Sequence, residues 1–138
     1  MSLMIGLAVE GTQPLELDAD TVVAMEDDGY YWFLYPLLET LAECTGEMID
    51  PYGGATFAGR DLDSLHGTLV EARRRIEPMP ERWNVQTGMS LGSNLHPTPP
   101  TPLNSEVEKE AFVALIERLD AVVAKAKTDN RRIVCLGD

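Results

Sequence analysis

The chain has 138 residues, of which 44% are hydrophobic, so one domain with a buried core is expected. Its 23 acidic and 11 basic residues give a net charge of −12, which would repel phosphate and argues against a nucleic-acid partner. The absence of a long apolar run or basic leader argues against a membrane location, and two cysteines are too few for a disulfide framework, so we expect a cytoplasmic protein.

The N-terminal region predicts β-structure. Residues 4–10 are apolar apart from their end, and residues 15–18 alternate apolar and acidic side chains, so a hairpin over 4–18 is expected. The β-branched stretch 21–25 favours a further strand in the same sheet. Residues 1–3 precede a second methionine and are typical of a cloning remnant, so they are left outside the predicted fold.

An aromatic run at 30–35 opens the first predicted helix. Pro36 suits the first turn of a helix and disrupts an interior, so the helix begins either near Tyr35 or near Gly29 with a kink at the proline. We favour the earlier start, with Gly46 as the C-terminal cap. The predicted buried face comprises Leu34, Leu37, Leu38, Leu41 and Cys44.

The middle of the chain contains the clearest helical pattern. A short strand is predicted at 56–58, and Asp61 is a good N-cap for the helix that follows. That helix ends before Pro78 and Pro80. Its apolar positions recur at spacings of three and four: Leu62, Leu65, Leu69, Ala72 and Ile76.

The C-terminal part predicts a strand at 83–87 and then a Pro/Gly-rich loop at 88–104. Ser105 and Glu108 match a capping box that would open a helix to about Lys127. The apolar face of that helix comprises Phe112, Leu115, Leu119, Val122 and Ala126. Residues 133–136 are continuously apolar, which favours a strand near the middle of a sheet.

These elements predict one α+β domain over residues 1–138. We expect a mixed, mostly antiparallel sheet of four to five strands with about three helices packed on it.

The negative charge is concentrated in the first part of the chain. Residues 1–59 contain eleven acids and no lysine or arginine, whereas residues 60–138 contain twelve acids and eleven bases. Two interpretations remain open. Arginines 73–75 or 131–132 could fold back and pair with the acids, or the acids could form a surface for a basic partner.

Neither a catalytic residue nor a cofactor or metal site is predicted. Histidines 66 and 96 have no second ligand at metal-binding spacing, and both cysteines are expected to be buried and inert. The acidic pairs near Asp18 and Glu26 lack the spacing of a calcium loop. Nucleophile-elbow, phosphate-loop and dinucleotide motifs are missing as well.

The predicted partner-binding residues combine carboxylates with aromatic rings. Glu39, Glu43 and Glu47 are spaced by four, and an acidic turn precedes two tyrosines. Such a mixture suits a basic, arginine-rich protein surface. The full candidate set is Asp27, Asp28, Tyr30, Tyr31, Glu39, Glu43 and Glu47.

Two stretches resemble those of small bacterial proteins: DDGYYWFLYPLLETLAECTGEMID at 27–50 and the closing RRIVCLGD. In size and acidity the whole chain is similar to immunity proteins of bacterial polymorphic toxin systems. That resemblance implies a non-enzymatic inhibitor with a basic, toxin-like partner.

Two other functions stay open. One is a small enzyme or ligand-binding domain with a pocket near residues 30–35, which would require a deep cavity with convergent polar groups. The other is a structural module that forms homo-oligomers through the proline loop or a sheet edge, which would require a large apolar interface.

Overall fold

The computed structural model describes residues 2–12, 15–90 and 99–137, which form a single α+β domain. The strands are β1 (Leu3–Val9), β2 (Glu16–Leu17), β3 (Val23–Met25), β4 (Gly54–Phe57), β5 (Arg82–Ser90), β6 (Thr101–Glu108) and β7 (Ile133–Gly137). The helices are α1 (Asp28–Thr45), α2 (Arg60–Ile76) and α3 (Lys109–Asp129), with a short 3-10 turn at Ala19–Thr21.

Five of the strands form the main sheet. β7 lies between β1 and β4, and both β2 and β3 pair with the other edge of β1, all antiparallel. The prediction of a central last strand is therefore confirmed. Leu3, which sequence analysis leaves outside the fold, is fully buried and pairs with Met25 and Gly137.

Helix α1 confirms the earlier of the two predicted starts. Its first turn is capped by Asp27, and Gly46 ends it with a left-handed φ of 78°. The helix tolerates Pro36 because Trp32, whose carbonyl loses its helical donor, and Pro36 itself both lie on the exposed side, where water can replace that donor. The predicted leucines of its apolar face are buried: Leu34, Leu37, Leu38 and Leu41.

Cys44 is an exception, because the prediction that it is buried is wrong. The residue is exposed and lines an open groove between α1 and α2. It lies at the margin of the apolar stripe, where small and polar residues of α2, Ser64 and Gly67 among them, leave the groove open.

Helices α2 and α3 bury every apolar position predicted for them. α2 begins at Arg60 after Gly59, so Asp61 lies in its first turn instead of serving as the N-cap. Alternate residues of β1 and β7 join these helices in one core, which includes Leu3, Ile5, Leu7, Ile133 and Cys135.

The predicted capping box is wrong. Ser105 and Glu108 lie in β6, which forms a separate two-stranded antiparallel hairpin with β5, and α3 begins at Lys109. The hydroxyl of Ser105 instead donates to the Asp27 carboxylate at the start of α1. Parts of the predicted loop at 88–104 therefore belong to strands, while residues 91–98 lie outside the described residues.

Aromatic rings fasten the base of this hairpin to the helices. The ring of Trp83 in β5 lies 5.5 Å from that of Phe33 in α1, and Phe33 lies 5.3 Å from Phe112 in α3. Tyr30 meets Phe112 edge-on at 4.8 Å. Such pairs each contribute about 0.5–1.5 kcal/mol beyond their buried area, so the N-terminal half of α1 is held firmly.

Candidate protein-binding surface

Two acids at the β1–β2 hairpin, Glu10 and Asp18, pair with consecutive arginines just before β7. Arg132 lies 2.9 Å from the Glu10 carboxylate, and its side-chain hydrogen bond lowers the pKa of Glu10. Arg131 donates to the Ala8 carbonyl at 2.8 Å and lies 3.4 Å from Asp18. For these two acids, the interpretation that arginines 131–132 fold back is confirmed.

Arginines 73–75 do not cover the acids of α1. Arg73 pairs with Glu117 of α3, while Arg74 and Arg75 both pair with Glu71 one turn earlier in α2. Lys127 similarly links α3 to Asp63. Within the described part of the chain, no ion pair reaches an acid of α1.

Three of the candidate residues serve the fold. The Asp27 carboxylate accepts from the Gly29 amide and the Ser105 hydroxyl, both at 2.8 Å, and so caps α1 and ties it to β6. Tyr31 is only 2% exposed, its hydroxyl donates to the Ile49 carbonyl, and burial raises its pKa to about 12. Tyr30 is half-buried against Phe112, and burial raises its pKa.

Of the four remaining candidates, three lie on α1 and one lies beyond its end. Asp28, Glu39 and Glu43 are all exposed on α1. Glu47 is half-buried beyond the left-handed Gly46, so it does not continue the helical row. Its backbone amide donates to the Thr45 hydroxyl, which closes the turn after the helix.

Trp32 and Tyr35 lie between these acids and were not among the predicted residues. Trp32 is 38% exposed, Tyr35 is half-buried, and their ring centroids are 5.1 Å apart. The helical period could have indicated them, because residues 28, 32, 35, 39 and 43 follow at spacings of four, three, four and four. We call these five residues the α1 stripe: Asp28, Trp32, Tyr35, Glu39 and Glu43.

The α1 stripe combines two kinds of attraction for a cation. An indole face attracts a guanidinium or ammonium group. Asp28 lies one turn before Trp32 and Glu39 one turn after Tyr35, so their carboxylates can form charge-assisted hydrogen bonds with such groups. Since the stripe lies along one helix, it offers several such positions in a row. This arrangement fits a surface that carries several arginines or lysines.

In the described part of the chain, no deep cavity with convergent polar groups is seen beside residues 30–35. Elsewhere, an open groove of about 650 Å³ is lined by charged side chains, among them Glu81, Lys109 and Glu117. The cavity beneath α1, between the helices and the sheet, has a volume of about 30 Å³, room for about one water molecule. Its lining is apolar apart from Thr68 and the Cys135 thiol, whose pKa burial raises to about 12. A shallow groove of about 240 Å³ beside Tyr30 is bordered by Glu26, Asp27 and Arg118, among others.

His66 forms no part of a convergent site in the described residues. His66 Nδ1 lies 2.6 Å from the Asp120 carboxylate, an exposed contact that links α2 to α3. No cluster of three or more potential metal ligands occurs among the described residues. His96 lies outside them.

Comparisons with protein-family models, curated proteins and solved structures find no match to this chain. None of the helices in the described ranges combines the length and hydrophobicity needed to cross a membrane.

Proposed function

We propose that this chain is a non-enzymatic protein-binding domain of the immunity-inhibitor type, which binds a basic, toxin-like protein through the α1 stripe. One observation carries the proposal: the carboxylates of the stripe are exposed and, among the described residues, have no cationic partner. Arginines 73–75 and 131–132, the candidates for neutralising them, pair with other acids.

The positions of Glu39 and Glu43 work against the stability of α1. Glu43 lies in the last turns, where the helix macrodipole favours cations, yet the last turn carries no basic residue. Glu39 and Glu43 also repel each other at a spacing of four, by about 0.2–0.5 kcal/mol. Acids that cost stability where they stand are better explained by binding than by folding.

A charge-reversal experiment tests the proposal. The double variant Glu39→Lys/Glu43→Lys and the wild type are used to capture proteins from lysate of the source organism at low and moderate salt. We expect the wild type to retain a basic protein, less strongly at moderate salt because exposed charges are screened. The double variant should lose that protein.

The matched control is Glu77→Lys/Glu81→Lys, which changes the net charge by the same amount at two exposed acids beyond α2. It should retain the partner nearly as well as the wild type. Equal loss in both double variants would mean that only net charge matters. Unchanged capture by the α1 variant would reject the surface.

A further inference from the structure

The β5–β6 hairpin extends beyond the aromatic rings that anchor its base. Trp83 and Val107 face the core at the base, whereas residues 86–90 and 101–104 are exposed or half-exposed. We call these two outer segments the hairpin arm. Its apolar side chains are open to solvent, with Met89 47% and Leu103 48% exposed.

The charged residues of the hairpin, Arg82, Glu106 and Glu108, all lie at its base. None of the 34 acidic and basic residues falls between Trp83 and Ser105, a stretch of 23 residues in a chain of which 25% is charged. The arm therefore has nothing to offer a basic partner and differs in kind from the α1 stripe. When two such arms meet, they bring no like charges together, which limits the repulsion between two chains of charge −12.

The two edges of the hairpin are unequal. Among the described residues, β5 and β6 pair only with each other, so each has one free edge. Pro102 removes a backbone donor from β6 and blunts that edge, as proline does in natural edge strands. The outer part of β5, residues 86–90, has neither proline nor charge. A register shift between Gln86 and Gly88 interrupts its pairing with β6, so the regular, unprotected edge is residues 88–90.

We propose that the hairpin arm is a self-association site, at which β5 pairs antiparallel with β5 of a second copy. A twofold axis between the two β5 strands would then produce a four-stranded sheet in the order β6-β5-β5-β6. An isolated two-stranded ribbon is marginally stable, and pairing of this kind stabilises its outer half. The acids of α1 do not take part in the contact.

This second function is independent of the proposed one. The two respond oppositely to salt concentration, so salt dependence distinguishes them. Salt screens the repulsion between two acidic chains, so self-association should strengthen as salt rises. Binding of a basic protein to the α1 stripe should weaken under the same change. Glu39→Lys/Glu43→Lys should leave self-association intact, or strengthen it by reducing the net charge.

Sedimentation velocity over a wide range of protein and salt concentration tests the inference with two matched variants. Met89→Glu adds a carboxylate to the pairing strand, and Met4→Glu adds one to an equally accessible methionine, 40% exposed, on the main sheet. Both bring the net charge to −13. Far-UV circular dichroism checks that each variant is folded.

The expected result is a reversible dimer for the wild type and for Met4→Glu, and a monomer for Met89→Glu. A wild type that stays monomeric at every concentration and salt overturns the inference. So does a Met89→Glu variant that still dimerises, since the contact then lies elsewhere. Equal dissociation of both variants also overturns it, because the contact would then not be confined to the arm.

Discussion

The two acidic regions of the chain, the β1–β2 hairpin and helix α1, hold their carboxylates in different ways. Glu10 and Asp18 are met by two consecutive arginines that precede β7, the central strand. Asp28, Glu39 and Glu43 face solvent with aromatic rings between them. The first arrangement joins the two ends of the chain, whereas the second leaves charge available for another molecule.

This difference shows that an uneven charge distribution along a sequence does not by itself tell whether the charges stabilise the fold or bind a partner. Acids of the same N-terminal region stabilise the fold where arginines from a distant part of the sequence pair with them. Acids that remain unpaired in a rigid helix with an exposed tryptophan point to a partner. Stability measurements should therefore respond in opposite directions in the two regions.

The largest stability effect is expected for Arg131→Ala. The Arg131 side chain is 25% exposed and donates to the Ala8 carbonyl as well as to Asp18. Losing hydrogen bonds to and from charged groups should lower the free energy of unfolding by about 2 kcal/mol. Urea denaturation of the wild type and the variant measures this change.

The control for that prediction is Arg74→Ala. The Arg74 side chain is 73% exposed and pairs only with Glu71 in its own helix, so its removal should change stability by less than about 0.5 kcal/mol. If both variants lose the same amount, the arginine beside β1 has no special role in the fold.

A smaller change of opposite sign is expected for Glu43→Lys. Replacing an acid by a base near the C-terminus of α1 should raise the free energy of unfolding by about 0.5 kcal/mol while weakening partner binding. Asp28→Lys should lower it by a similar amount, about 0.5 kcal/mol, because Asp28 lies in the first turn. Urea denaturation and the capture assay together separate folding from binding. Destabilisation by Glu43→Lys would show that the carboxylate has a structural partner.

The helices could be predicted well from sequence because their information is local. Every position of α2 and α3 that the apolar spacing predicted to be buried is buried. Asp27, Gly29 and Gly46 are consistent with the early start and the end of α1. The wrong prediction of a capping box at Ser105 and Glu108 also follows from the use of local information. These two residues satisfy a local capping pattern, whereas the pairing of β6 with β5 and the contact with Asp27 join residues far apart in sequence.

The candidate site was predicted in part. The acids of α1 could be identified from sequence, but the tyrosines were chosen because they follow the acidic turn. The phase of the helix turns Tyr31 inward and Trp32 outward, and that phase depends on which face the leucines bury. β6 was missed because Pro100 and Pro102 argue against a strand, although proline is tolerated at a free edge.

The smallest predicted effect concerns the ion pair of Glu10 with Arg132. The Arg132 hydrogen bond holds the pKa of Glu10 below its ordinary value of 4.5. Because the folded pKa is lowered, this pair stabilises the fold above pH 4.5, and the contribution is lost as the pH falls through the folded pKa. The pair is exposed, so the effect on stability is small.

Carbon-detected NMR titration of the side-chain carboxyl groups can resolve it. In Arg132→Ala the titration midpoint of Glu10 should rise towards its ordinary value. Asp63 serves as the internal control, because its pKa is lowered by a separate ion pair with Lys127 and should not change. An unchanged Glu10 midpoint would mean that Arg132 does not hold this acid in solution. Glu10 would then be as available to a partner as the acids of α1, and the contrast between the two regions would rest on Asp18 and Arg131 alone.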